Sequence, residues 1–342
     1  CNSGSSANLL MVEALRSAHP SKFENNNKVI VPATGWITTV SPIIQAGLEP
    51  IMIDSDPDTL GIDLDQLEEA CKKEAPALVI FVQVLGVPHH RDRLLQLKDK
   101  YGFLLLEDAC AALGSEYRDG LDSPKRVGTV GDASSFSFYF GHQLSTIEGG
   151  MVNTNSFEVY QRLLMLRSHG WGKDLSPDFR NELLNKYNLD GFHDPFTFFD
   201  LGYNLRGTDL QAFIGIKQVD KAVHHSNLRC QNHIAYGERL KGYVSYQNWG
   251  QNFPASISFA AFAKNSEERK QVVKALVENG IETRLFTAAN LGLHPFWTDR
   301  YPKFTGKVST KASETGFFLP NYPEMEIEDI DFISQVVIDN LT

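Results

Sequence analysis

Short, nearly continuous apolar runs separated by amphipathic stretches set the strongest limit on how this chain can fold. The runs at 28–33, 49–56, 77–86 and 102–110 are bounded by polar breakers and carry β-branched residues in places. Strands of this kind suit a parallel sheet covered on both faces. Helical patterns at 8–18, 63–73 and 90–102 lie between them. Such a repeated strand–helix alternation argues for an open α/β domain. Further strands are expected at 133–140 and 149–155. From Thr208 one long helical pattern runs to Leu240 and bridges to a smaller α+β part. That part combines an extended stretch at 254–264, a helix at 266–280, a strand candidate at 281–286 and a closing helix near 329–340. The boundary is expected near 235, giving a large domain over 1–235 and a small one over 236–342. No internal repeat is visible.

Composition narrows the class of partner. The 342 residues are 42% hydrophobic, enough to bury a substantial core. A formal net charge of −10 and the absence of a Lys/Arg run argue against nucleic acid. No apolar stretch reaches the ~18 residues of a membrane span, and no signal-peptide pattern opens the sequence. Cys1, Cys71, Cys110 and Cys230 are scattered without a C-x-x-C pair, the pattern of a reduced, cytoplasmic protein. The sequence opens inside a candidate ligand loop, so a strand or helix is expected ahead of Asn2.

Four short segments carry the chemistry. Ser3-Gly4-Ser5-Ser6-Ala7-Asn8 stands just before a helical pattern, where free N–H groups and the positive end of a helix can hold a phosphate. Ser5 or Ser6 acting only as a helix cap is the simpler reading. Glu107-Asp108 closes an apolar strand, and strand C-termini in open α/β sheets face the ligand crevice. A carboxylate there can pair with a protonated ring nitrogen, or merely cap a turn. Ser137 and His142 stand five residues apart, followed by Glu148-Gly149-Gly150; each taken alone is more often a surface or core residue. The fourth segment, 202–212, places Asn204 and Arg206 ahead of a helix that Asp209 can cap.

In this order and at these separations the segments resemble the nucleotide-sugar aminotransferases of fold type I, which use pyridoxal phosphate (PLP). The resemblance runs from Asn2 to about residue 300 and includes the weaker 280–284 stretch and Asn290. It implies a large, mostly parallel-sheet domain followed by a smaller C-terminal α+β domain. It implies that Gly4, Ser5 and Ser137 contact the cofactor phosphate, that Trp36 stacks on the pyridine ring, and that Asp108 binds the ring nitrogen. It also implies a homodimer in which Asn204 reaches the partner's phosphate.

One departure changes the expected reaction. The family's cofactor-binding lysine falls on His142, and imidazole cannot form the covalent link that a lysine amine forms with PLP. The stretch from His142 to Glu148 is similar to that of the sugar 3-dehydratases of this superfamily, which use pyridoxamine phosphate (PMP). The resemblance thus implies removal of the C3 hydroxyl from a nucleotide-linked 4-keto-6-deoxyhexose, with PMP restored from glutamate. GDP-linked 4-keto-6-deoxymannose is the first substrate to consider. Imidazole, with a reference pKa near 6.5, can accept and return a proton near neutrality. A cluster-bearing branch of these dehydratases needs four converging cysteines. Cys110 stands where that branch has one ligand, but no cysteine occurs in 167–175, so the metal-free branch is expected, with Cys110 an ordinary core residue. Ala111 replaces a polar residue usual in the aminotransferases. His193 is a second candidate active-site histidine, with a loop histidine beside aromatic packing as the bland reading. Two other functions stay open: an aminotransferase-like reaction on the same fold, which product mass would reveal, and a non-catalytic sensor or scaffold that keeps the cofactor pocket.

Overall fold

The computed structural model describes residues 1–118 and 124–341. Its main sheet has six strands in the order β2-β1-β3-β4-β7-β8. They are β1 (Lys28–Pro32), β2 (Glu49–Ile53), β3 (Leu78–Val82), β4 (Leu104–Asp108), β7 (Ala133–Ser137) and β8 (Gly150–Asn153). A two-residue ribbon, β5 (Glu116–Tyr117) with β6 (Lys125–Arg126), lies between β4 and β7 in the chain. Within this sheet β2, β1, β3, β4 and β7 pair in parallel and only β8 is antiparallel. β3, β4 and β7 are buried at every residue, β3 as its apolar run requires and β7 although three of its five residues are serines. Apolar clusters cover both sheet faces, one with Val29, Val31, Leu78 and Leu106, the other with Ile30, Val79, Phe81 and Leu105. The alternation of neighbouring residues between the clusters is the period of two expected of a strand.

The C-terminal ends of β1, β3, β4 and β7 converge where the strand order reverses, between β1 and β3. That edge is where an open α/β sheet accepts a ligand. Helix α1 (Gly4–Ala18) packs across β7 and β8, so its N-terminus reaches the same edge.

The smaller C-terminal part is built on β9 (Ser245–Tyr246), β10 (Ser258–Phe262) and β11 (Gly316–Pro320), in the order β11-β10-β9. It has its own apolar cluster around Tyr236, Phe259, Leu276, Phe317 and Val337. Asp54, just past β2, caps the helix Lys307–Thr315 from far away in sequence, accepting from Val308 N and Ser309 N at 2.9 Å each.

Several local expectations are corrected. α1 begins at Gly4 rather than at residue 8, and its cap is Ser3, not Ser5 or Ser6; Ser3 Oγ accepts from Ser6 N at 3.1 Å. Thr208, not Asp209, caps the helix Asp209–Val219, in a reciprocal box with Gln211. The single long helix is two, Asp209–Val219 and Ala222–Leu240. Asp220 and Lys221 keep right-handed helical dihedrals there but belong to neither helix. The 281–286 stretch is not a strand; it runs beside β11 with one isolated bridge, Leu285 to Phe317.

Candidate active site

Asp108 is the end residue of β4 and is 3% exposed. Its Oδ2 accepts from Asn8 Nδ2 at 2.8 Å and from Thr39 Oγ1 at 2.7 Å, and its Oδ1 accepts from Cys110 N at 3.1 Å. Glu107, the neighbouring residue, is turned to other partners: Gln83 Nε2 and Tyr117 Oη at 2.8 Å each, and Val130 N at 3.1 Å. Burial pushes the Glu107 carboxyl above the usual range. The two carboxylates of the motif therefore have separate duties.

The first turn of α1 lies against the end of β7. A Cβ on Gly4 would come 2.5 Å from Ser137 Cβ and 2.8 Å from Ser137 Oγ. A Cβ on Gly150 would strike the Ser3 carbonyl. Only glycine lets these backbones close so tightly. Gly4 and Ser5 occupy the first two helical positions, whose N–H groups have no intrahelical acceptor. The structure thus brings Gly4 and Ser137 into contact, with the exposed Ser5 beside them.

Trp36 follows β1 and precedes the helix Ile37–Gln45. It is 58% exposed, so the alternative of a core tryptophan is overturned. Cys110 is likewise no core residue: it is half-buried, with Sγ 3.6 Å from Ser135 Oγ and facing Gly4. Burial and the Asp108 charge raise its thiol pKa well above the usual value.

His142 stands on the loop between β7 and β8. The loop is a hairpin closed by Phe138 N to Gly149 O at 2.8 Å, Thr146 N to Phe138 O at 2.9 Å and Phe140 N to Ile147 O at 3.0 Å. Ile147 takes a φ of +69°, a conformation a β-branched side chain rarely adopts and that costs roughly 1–3 kcal/mol. Gln143 staples the loop: its Nε2 donates to Ala111 O at 2.6 Å and to Ala255 O at 2.7 Å. Ala111 thus contributes through its backbone. The imidazole of His142 is half-buried, and its Nδ1 is buried without a partner. Burial lowers its pKa to about 4, against the opposing charge of Asp108 and with help from Arg229. At neutral pH it is an uncharged proton acceptor.

The unpartnered Nδ1, the tethered carboxylate of Asp108, the exposed indole of Trp36 and the free N–H groups at Gly4 and Ser5 fit a phosphorylated pyridine. Two expected residues are not joined to this group. His193 is exposed and pairs with Asp190, Nδ1 to Oδ1 at 2.7 Å. Among the described residues no hydrogen bond, ion pair or ring contact links it to His142 or Asp108. Asn204 is exposed, its Oδ1 accepting from Arg206 Nε at 3.3 Å. Its neighbour Leu205 accepts from Asn2 N at 2.9 Å, which puts the Asn204 turn beside the N-terminal loop. Among the described residues no three His, Cys, Asp or Glu side chains gather as a metal site, and no helix is long and apolar enough to cross a membrane.

The sequence matches the DegT/DnrJ/EryC1/StrS aminotransferase family from residue 1 to residue 338. The chain belongs to this family. Its α/β architecture, with a large mixed sheet and a smaller C-terminal domain, is the fold type I arrangement. GDP-4-keto-6-deoxy-D-mannose 3-dehydratase of Yersinia pseudotuberculosis is 35% identical, over 84% of this chain and 72% of that protein. The enzyme of the same name from Escherichia coli O55:H7 is 30% identical, over 98% of this chain and 86% of its own length. The solved structure of the E. coli dehydratase with bound hydrated PLP superposes with a TM-score of 0.87 at 28% identity, covering 98% of this chain and 86% of the other. A structure of GDP-4-keto-6-deoxymannose-3-dehydratase with a trapped PLP–glutamate geminal diamine gives 0.85 at 27% identity, with coverage of 98% and 86%.

Four residues of the candidate site were given no role of their own from sequence: Asn8, Thr39, Ser135 and Gln143. Asn8 carries the one signal available, a polar residue inside an otherwise apolar helical stripe. For His142, the low pKa leads to a direct expectation. Histidine NMR on the cofactor-free protein should show the imidazole uncharged down to about pH 4. Its folded pKa lies below the unfolded value near 6.5. Its contribution to stability is therefore complete above that value and is lost as pH falls toward 4. A titration midpoint near 6.5 would show that the ring is not desolvated as described.

Proposed function

We propose that this chain is a PMP-dependent 3-dehydratase of a nucleotide-linked 4-keto-6-deoxyhexose, yielding a 4-keto-3,6-dideoxyhexose and regaining PMP from glutamate. The carrying observation is His142, an imidazole with an unpartnered nitrogen, on the loop that ends at Gly149-Gly150 beside the phosphate-facing turn. The names of the similar dehydratases and the PLP and PLP–glutamate species in their structures support the same reaction and amino donor. Those names also make GDP-4-keto-6-deoxymannose the first substrate to try.

Each residue then has a task. Gly4 and Ser5 offer N–H groups, and Ser137 a hydroxyl, to the cofactor phosphate. Trp36 offers its exposed face to the ring, and Asp108 offers its carboxylate to the ring nitrogen. When bound, the cofactor supplies an amine for the C4 ketone and a ring that accepts electrons. His142 takes a proton from the cofactor C4′ and delivers one to the departing C3 hydroxyl. Because it enters the cycle uncharged, it can act as the base without first losing a proton. The exposed His193 is a reserve candidate, for a site completed by a second protomer.

The proposal includes a homodimer. Leu210, Phe213, Ile216 and Val219 recur every third residue of one helix, and all are exposed. Phe140 and Ile147, on the His142 loop, are exposed as well. Large apolar side chains left exposed in this number on one helix suit an interaction surface. Its nearness to the His142 loop suits a twofold contact in which Asn204 of each protomer serves the other's phosphate.

Two measurements test this reading. The protein should be incubated with PMP, glutamate and GDP-, CDP- or dTDP-linked 4-keto-6-deoxyhexoses. A product lacking the C3 oxygen is expected with at least one of them, and His142→Asn should slow it roughly 10²–10⁴-fold. A 4-amino sugar that retains the C3 hydroxyl would contradict the reaction, and an undiminished His142→Asn rate would remove His142 as the base. Light scattering should give a dimer mass that Phe213→Asp lowers together with activity; a fully active monomer would refute the shared site.

A further inference from the structure

Asn8 is a polar residue that the packing of its helix does not require. It lies on the stripe of α1 formed by Gly4, Met11 and Leu15, all buried, and is itself 2% exposed. A buried amide is unfavourable unless it is hydrogen-bonded, and an apolar side chain is the ordinary occupant of such a stripe. Asn8 is hydrogen-bonded at both ends. Its Nδ2 donates to Asp108 Oδ2 at 2.8 Å, and its Oδ1 accepts from Ser135 Oγ at 2.5 Å. The carboxylate fixes the amide's orientation, since a flip would set the amide oxygen against Oδ2.

We propose that Asn8 is a positioning residue for the cofactor, setting the Asp108 carboxylate in register with the phosphate-binding turn of the same helix. This rests on the cofactor reading given above. Gly4 and Asn8 are four residues, about one turn, apart on α1. One rigid element therefore carries both the N–H groups offered to the phosphate and the amide that holds the ring's carboxylate. A pyridine phosphate is a ligand of nearly fixed length between those two contacts. Setting both from one helix removes the freedom that would otherwise be lost on binding. Thr39 Oγ1 holds the same Oδ2 from another helix, at 2.7 Å, and prevents rotation about the Asn8 bond.

Asn8→Leu separates this role from a structural one. The substitution restores an apolar stripe but leaves the Asp108 carboxylate with only Thr39 and Cys110 as donors, so the cofactor-free protein should still fold and unfold at a modestly lower temperature. PMP affinity, followed by cofactor fluorescence, should fall roughly tenfold, the scale of one hydrogen bond to a charged group. Ser135→Ala provides a second variant. It leaves Asn8 in place but releases its carbonyl, and should weaken PMP binding roughly threefold. If Asn8→Leu does not fold, Ser135→Ala decides. Wild-type PMP affinity in either folded variant overturns the proposal, as does a drop in unfolding temperature with affinity unchanged. Wild-type protein that binds no PMP would overturn this proposal and the cofactor reading together. Wild-type binding with no difference in the variants would overturn this proposal alone.

Discussion

The carboxylate of Asp108, buried at the end of β4, is the group to which the rest of the site is tied. A buried carboxylate is costly unless its oxygens are hydrogen-bonded. Here the donors come from three directions: Asn8 on α1, Thr39 on the helix after β1, and the backbone N–H of Cys110. Satisfying one charge thus fixes the two helices flanking the crevice and the turn leaving β4. The close approach of Gly4 to Ser137 and of Gly150 to Ser3 follows from the same arrangement, because α1 can sit this near β7 and β8 only where no side chain intervenes.

His142 is placed by a different means. Its loop leaves the sheet at β7, returns at β8 and is stapled by Gln143 to Ala111 O and Ala255 O. One of those carbonyls lies just past Asp108 and the other just before β10, at the entry to the smaller domain. The turn after Asp108, the His142 loop and the entry to the smaller domain are in this way joined by a single amide. Arg229, buried on the Ala222–Leu240 helix and donating to the carbonyls of Ser256, Ile257 and Asn321, adds positive charge near His142. Burial and this charge together keep the imidazole neutral, and a lysine in the same surroundings would be pressed toward its uncharged, nucleophilic form as well.

The parts legible in the sequence are those with a local physical signature. β1, β3 and β4 are apolar at nearly every position, so their place in a covered parallel sheet could be read directly. His142 could be read because it departs from a framework otherwise intact around it. The sequence favours Ser5 or Ser6 as the cap of α1 where Ser3 serves, because hydroxyls so close together look alike until the start of the helix is known. The break at Asp220 and Lys221 was hidden because both residues suit a helix. The 281–286 stretch has the β-branched residues of a strand, but it meets β11 through scattered bonds, Thr283 Oγ1 to Phe318 O at 2.8 Å and Phe318 N to Arg284 O at 3.2 Å, rather than through a ladder. Asn8, Thr39 and Gln143 make contacts about 30 to 130 residues away in the chain, and nothing in their own neighbourhoods announces those partners.

The central claim is that this family member holds its cofactor beside a histidine, without a covalent lysine. Borohydride treatment of the protein with bound PLP, followed by peptide mass spectrometry, tests it directly. The wild-type protein should carry no reduced cofactor on a lysine of the pocket, whereas His142→Lys should carry one at position 142. A stoichiometric cofactor adduct on any lysine of the wild-type protein would contradict the account.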